Sequence, residues 1–251
     1  MITALSTENL EARLETEDAL SEIKKLGATH CELYLQTFYE YRPEFSKKFA
    51  AVAEGVNVCA VRVPPANYEA QLFSERRRTR GDGFYWLDQV LRSAAVFGAE
   101  RYVLRGLTDG RDFGYLGERL NEVISFCARY GVKLSLENSC AGLYNAHGVF
   151  KELKNHCPEL CGALDLAQAR KSNYPYGMYI NETSGSLSHV RLTDFDAFGK
   201  PCALGEGVFD FSELFSRLKD SGFDGTVIYG GSDVTQTSCL RLGELIYKFG
   251  L

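Results

Sequence analysis

A single unit recurs along this chain and limits what it can become: a helical stretch, a glycine, then at once a short apolar strand. Leu20, Ile23 and Leu26 lie at helical spacing before Gly27, and 31–35 reads as strand. Leu87, Val90, Leu91 and Ala94 repeat the arrangement before Gly98 and a strand at 102–104. Leu116, Leu120, Val123, Ile124 and Cys127 lead to Gly131 and 132–136, and Phe211, Leu214, Phe215 and Leu218 lead to Gly222 and 226–229. Apolar residues at i, i+3, i+4 and i+7 mark helix faces that pack on a sheet. A glycine just past the last turn takes the left-handed cap conformation without a Cβ clash. Asp210 followed by Glu213 predicts the start of a helix over 211–220. Eight strands are expected, at 2–5, 31–35, 56–63, 101–105, 132–138, 161–166, 188–194 and 226–229. Spread over 251 residues this is about 31 per unit, close to the ~30 or more that a βαβ needs. The expected fold is therefore α/β, a closed (β/α)8 TIM barrel occupying 1–251 as a single domain. The alternative is an open doubly wound sheet, against which stands the lack of a G-x-G-x-x-G after any strand.

Composition narrows the function. Lys and Arg number 28 against 33 Asp and Glu, a net charge of −5, and an acidic balance argues against a nucleic-acid partner. No stretch approaches the ~20 apolar residues of a membrane span. The first residues lack the basic head and apolar run of a secretory signal. The expected location is cytoplasmic, with the eight cysteines reduced. Cys157 and Cys161 are the closest pair, with no second pair to complete a zinc site. The cysteines read as small buried hydrophobes.

In an α/β barrel one set of alternate strand residues meets the helices and is apolar; the other fills the barrel and, at its C-terminal end, lines the mouth. In 132–138, Val132, Leu134 and Leu136 fall on the outer set, so Lys133, Ser135 and Glu137 face in. In 188–194, His189, Arg191 and Thr193 face in; in 161–166, Ala163 and Asp165 do. Ile228 is assigned outward, which turns Val227 and Tyr229 inward. Glu32, Tyr34, Arg62 and Arg105 take inward phases by the same rule. The mouth is thus expected to hold three carboxylates (Glu32, Glu137, Asp165) and three guanidiniums (Arg62, Arg105, Arg191). Charges withdrawn from water are paired or meet a charged ligand, and six of them at strand ends point to a polar binding site.

The runs GVKLSLEN (131–138), GALDLAQAR (162–170), LSHVRLTDFDAFGKPCALGEGVFDF (187–211) and SGFDGTVIYGG (221–231) resemble, in order and spacing, the xylose isomerase-like TIM-barrel superfamily of sugar and sugar-phosphate isomerases and epimerases. The resemblance implies carbohydrate chemistry: proton transfer beside a carbonyl, and one divalent ion held by a Glu, an Asp, a His and a second Glu. Those four positions read Glu137, Asp165, Arg191 and Tyr229 here. A substrate-contact His reads Gln168, and two earlier His read Arg62 and Arg105. An arginine has no lone pair to offer a metal, and its charge repels one. The expectation is a degenerate metal site without resident Mn, Co, Mg or Zn; were an ion held, Glu137 and Asp165 would be its ligands. Arg191 is expected to fill the vacated position and pair with Glu137 or Asp165. The catalytic candidates are Glu137, Arg191 and Tyr229, with Glu32, Arg62, Arg105, Asp165, Gln168, His189 and Glu206 around the substrate.

After the last strand, Gly230, Gly231 and Ser232 precede a helix. This is where TIM barrels often hold phosphate, although a glycine turn with Ser232 or Asp233 capping the helix serves equally. The ligand expected is a small polar anion of sugar type. The basic run Arg76, Arg77, Arg78 and Arg80 reads as a solvated surface, with a lid or a homo-oligomer contact left open. Trp86, with Phe84 and Tyr85, is expected to pack the third helix. Two functions remain: an isomerase or epimerase with Glu137 as base, or a barrel that binds its ligand without catalysis.

Overall fold

The computed structural model describes residues 1–107, 112–231 and 234–249. Its strands are β1 (Ile2–Ser6), β2 (His30–Tyr34), β3 (Asn57–Arg62), β4 (Arg101–Leu104), β5 (Lys133–Glu137), β6 (Cys161–Asp165), β7 (Leu187–Leu192), β8 (Asp194–Phe195), β9 (Pro201–Cys202) and β10 (Thr226–Tyr229). All but β8 and β9 close into one parallel barrel in the order β1-β10-β7-β6-β5-β4-β3-β2. β8 and β9 form a small antiparallel ribbon on the connection after β7. The helices are α1 (Thr16–Lys25), α2 (Pro43–Ala53), α3 (Arg77–Val96), α4 (Phe113–Ala128), α5 (Val149–His156), α6 (Leu166–Lys171), α7 (Tyr176–Glu182), α8 (Phe211–Asp220) and α9 (Gln236–Lys248). Strand bounds fall within two residues of the sequence expectation, and α8 coincides with the helix foreseen over 211–220.

The repeat has the physical basis read from it. Gly27, Gly98, Gly131 and Gly222 all sit at φ between 66° and 82°, each just past a helix end. A Cβ there would meet nothing within 4 Å, so the constraint is the backbone conformation itself. Between barrel and helices lies one continuous apolar layer, to which Leu20, Ile23, Leu33, Leu87, Val90, Leu134, Leu136 and Val190 contribute. Inside the barrel the apolar content is small: Ala60, Val103 and Ala163 form a separate cluster. Each stands two residues before Arg62, Arg105 or Asp165, so these three side chains floor the charged mouth. Among the described residues no helix is long and apolar enough to cross a membrane.

Candidate functional site

Parallel partners in register point to the same side of the sheet, so the register settles which side chains enter the barrel. Glu137 pairs with Ala163, Asp165 with Arg191, and Tyr34 with Arg62. These all face the axis, as the sequence phases predict. β10 differs. Ile228 pairs with Arg191 and with Ala4, so Ile228 faces inward. Tyr229 pairs with Leu192 and Leu5 and belongs to the outer apolar layer. Tyr229 therefore does not reach the mouth with its ring; its main-chain carbonyl accepts a 2.7 Å hydrogen bond from Asn9 Nδ2. The difference arises because Val227, Ile228 and Tyr229 are all apolar, and alternation carries no signal in a strand buried on both faces.

The mouth is built around three buried arginines. Arg62, fully buried, grips Glu137 with both terminal nitrogens, Nη2 to Oε1 at 2.7 Å and Nη1 to Oε2 at 3.2 Å. Its Nη1 also lies 3.3 Å from Glu8 and 3.4 Å from Glu32. Arg191 donates through Nη2 to Glu32, to Glu8 at 3.0 Å and to Ser6 Oγ at 3.2 Å, and through Nη1 to Asn9 Oδ1 at 3.1 Å. Arg105 reaches Glu8 at 3.1 Å. The expected pairing is thus exchanged: the bidentate grip on Glu137 belongs to Arg62, while Arg191 turns to the β1–β2 side and keeps only a 4.0 Å approach to Asp165. β3 and β7 each stand two strands from β5 in the barrel, so strand order alone does not choose between Arg62 and Arg191.

Glu8, absent from the sequence expectation, touches all three arginines. It sits in the 3-10 turn Thr7–Leu10 directly after β1. The one signal available was its place in the first loop at the C-terminal end of a barrel strand. Burial opposes its ionisation, but Arg62, Arg191 and Arg105 outweigh that and hold its carboxyl down at about 2. Glu32 is lowered in the same way, with Arg191 and Arg62 overcoming burial. Glu137 goes the other way: burial, helped by the nearby Asp165, pushes it up to about 7 against the pull of Arg62. Glu69 was also missed. Buried beneath β4, it accepts from the Arg105 main-chain nitrogen at 2.9 Å and from Tyr102 OH at 2.6 Å, fixing where β4 delivers its arginine.

The remaining candidates hold structure together. The Gln168 main chain caps on Asp165 at 3.0 Å, and its side chain accepts from Cys140 N, tying α6 to the loop after β5. His189 faces in one layer deeper, paired with Ala163 and Thr226; burial lowers its imidazole to about 4. Glu206 is exposed and pairs with Arg241. The LGEG run is organised by Asp194, whose carboxylate accepts from the main-chain nitrogens of Gly205, Gly207 and Phe209. At Gly230 a Cβ would stand 2.7 Å from Arg191 Cγ and from the Leu192 carbonyl, so this glycine makes room for the arginine stem. Gly231 is buried, and Ser232, with Asp233, lies outside the described residues. Thr235, not Ser232 or Asp233, caps α9, in a reciprocal box with Ser238. Arg76, Arg77 and Arg78 are exposed, as a solvated run should be. Trp86 packs on Phe38 at 4.5 Å.

A profile of the family described as Xylose isomerase-like TIM barrel matches residues 20–236. The chain belongs to that family. No curated protein matches it in sequence. Among solved structures it is similar to a D-tagatose 3-epimerase-like protein, with TM-score 0.79 and 16% identity over 100% of this chain and 98% of that one. It is similar to D-psicose 3-epimerase from Clostridium cellulolyticum H10, solved with D-tagatose (TM-score 0.77, 16% identity, 98% and 99% covered). It is also similar to the E. coli 3-keto-D-glucoside 4-epimerase YcjR (TM-score 0.74, 17% identity, 98% and 99% covered). At these identities the likeness establishes the fold. For a divalent ion of the kind the resemblance implies, the residues of this xylose isomerase-like barrel do not fit. Of the four positions, Glu137 is gripped by Arg62, Arg191 offers no lone pair, and the Tyr229 ring lies outside the barrel.

Proposed function

We propose that this protein is a sugar isomerase that shifts a proton beside a substrate carbonyl, with Glu137 as the base and arginines in the electrophilic role. The observation that carries the reading is Glu137 itself, buried at the inward end of β5 with its carboxyl pushed up to about 7. A base is most effective when its proton affinity matches the working pH. Beside it, Arg105 Nε lies 3.8 Å from Glu137, and Arg191 Nε lies 4.0 Å from Asp165. Both Nε–H groups, and that of Arg62, are buried without a hydrogen-bond partner among the described residues. Donors and acceptors spaced just beyond contact suit hydroxyl and carbonyl oxygens between them. Glu137 takes the proton from the hydroxyl-bearing carbon next to the carbonyl; the C–H electron pair becomes the C=C bond of an enediolate, and the carbonyl π pair moves onto its oxygen. The guanidinium N–H groups stabilise that developing charge; the proton of the neighbouring hydroxyl passes to the former carbonyl oxygen as its O–H electrons make the new carbonyl, and Glu137 delivers its proton to the former carbonyl carbon.

The same geometry supports isomerisation over epimerisation at one carbon. Inverting a carbon requires a proton delivered from the opposite face. Across the mouth stand Glu8 and Glu32, kept ionised by their arginines and so without a proton to give, and Ile228. Among the described residues, four carboxyls (Glu8, Glu32, Glu137, Asp165) face three guanidiniums, which leaves no cationic surplus there for a phosphate. An uncharged sugar is thus favoured over the anionic one that the sequence suggests. A reducing, cytoplasmic setting accords with eight free cysteines.

The test is exchange of a ketose or aldose C–H proton with heavy water, followed by NMR. Wild type should exchange, and Glu137→Gln should lower the rate by about two orders of magnitude or more. Exchange that persists in Glu137→Gln removes Glu137 as base. The saturation of the guanidinium Nη groups favours a second reading, a barrel that binds a sugar without turning it over. Binding to wild type with no exchange would establish that one instead.

A further inference from the structure

Outside the mouth there is a cavity of about 470 Å3 between α6, the segment leading into α7, β8 and the run just before α8. This lies within the roughly 300–1,000 Å3 typical of small-molecule sites. Its walls are aromatic: Tyr174, Tyr176, Phe195 and Phe209, with the Tyr176 and Phe209 rings 5.4 Å apart. The Tyr174 hydroxyl is bound to Glu182, so what that residue brings to the cavity is ring surface. The one charged lining residue is Arg170. Its guanidinium lies 4.8 Å over the Phe195 ring. A Cβ at Gly199 would come within 2.4 Å of its Nη2, so the ribbon backbone closes its other side. The Arg170 side chain makes no hydrogen bond or ion pair among the described residues, and no acidic residue lines the cavity. An arginine fixed by stacking keeps its in-plane N–H donors free, and these match a carboxylate or phosphate.

We propose that this cavity is a second ligand site, separate from the barrel mouth, that takes a small anion carrying a flat ring, the ring against Phe209 and Tyr176 and the charged group on Arg170. Both features are needed: ring stacking alone leaves Arg170 unanswered, and a bare anion leaves the aromatic walls wet. Neither depends on what the mouth catalyses.

The probe is para-fluorobenzoate, titrated into the full chain and followed by fluorine NMR, with para-fluorobenzamide and fluoroacetate as companions lacking the charge and the ring. The benzoate should bind, and both companions should bind about tenfold more weakly or worse. Arg170→Gln, an exposed position, should weaken the benzoate by about tenfold, Phe209→Leu should weaken it too, and Glu137→Gln should leave it unchanged. Equal binding of all three probes, or an unaltered titration in Arg170→Gln, overturns the proposal. Weakening in Glu137→Gln alone also overturns it, since the anion would then sit in the mouth.

Discussion

The barrel mouth and the cavity beside α6 use arginine in opposite ways. In the mouth, Arg62, Arg105 and Arg191 are buried or nearly so, and their terminal nitrogens are engaged by Glu8, Glu32 and Glu137. At the rim, Arg170 lies on an aromatic ring, exposed, with no acidic residue among those that line its cavity. The contrast follows from solvation. A guanidinium taken out of water costs several kcal/mol unless its charge is matched at hydrogen-bonding distance. The mouth carboxylates are therefore a condition of folding before they can serve chemistry. Arg170 remains hydrated and carries no such requirement, so its charge is available to a ligand.

If this contrast holds, substitutions should grade by how deeply the altered group is embedded. Arg62→Met should be the most damaging, because it strands Glu137 without its bidentate partner; a loss of about 3–5 kcal/mol in urea unfolding is expected. A loss below about 1 kcal/mol would show that the network does not bear on stability. Acid comes next. Glu8 is lowered from 4.5 to about 2, so its contribution is complete above pH 4.5 and disappears as pH falls through 2. Over that window wild type should lose about 3 kcal/mol more than Glu8→Gln. Parallel pH profiles for the two proteins would contradict the pairing of Glu8 with the arginines.

Gly230→Ala should follow, at about 1–3 kcal/mol, since the added carbon meets the Arg191 stem and the Leu192 carbonyl. An unchanged melting temperature would mean that Arg191 has another path into the mouth. Arg170→Gln should be the mildest, within about 0.5 kcal/mol in the same melts. A larger effect there would make Arg170 a structural residue and close the gap between the two regions.

Legibility in the sequence tracked burial asymmetry. Where a strand has one apolar and one polar set, as in β5 with Leu134 and Leu136 against Ser135 and Glu137, the phase was readable and the inward residue stands where expected. In β10 both sets are apolar, so the pattern does not separate Tyr229 from Ile228, and the register puts Ile228 inside. Glu8 lies just past a strand, where alternation no longer applies. Gln168 and Glu206 have the polarity of ligand contacts, yet their side chains bond to Cys140 N and to Arg241. Polarity alone does not distinguish a group that faces a substrate from one that ties two loops together.

By itself the sequence determined the barrel, its eight-fold repeat and the presence of opposed charges at the strand ends, because helical and strand periodicities are local and survive in one dimension. Which arginine holds which carboxylate was decided only by the closed sheet. Its closure sets Arg62 on β3 two strands from Glu137 on β5 and Arg191 on β7 two strands from β1, and charge-assisted hydrogen bonds form only at contact distance, so a small difference in approach selects the partner.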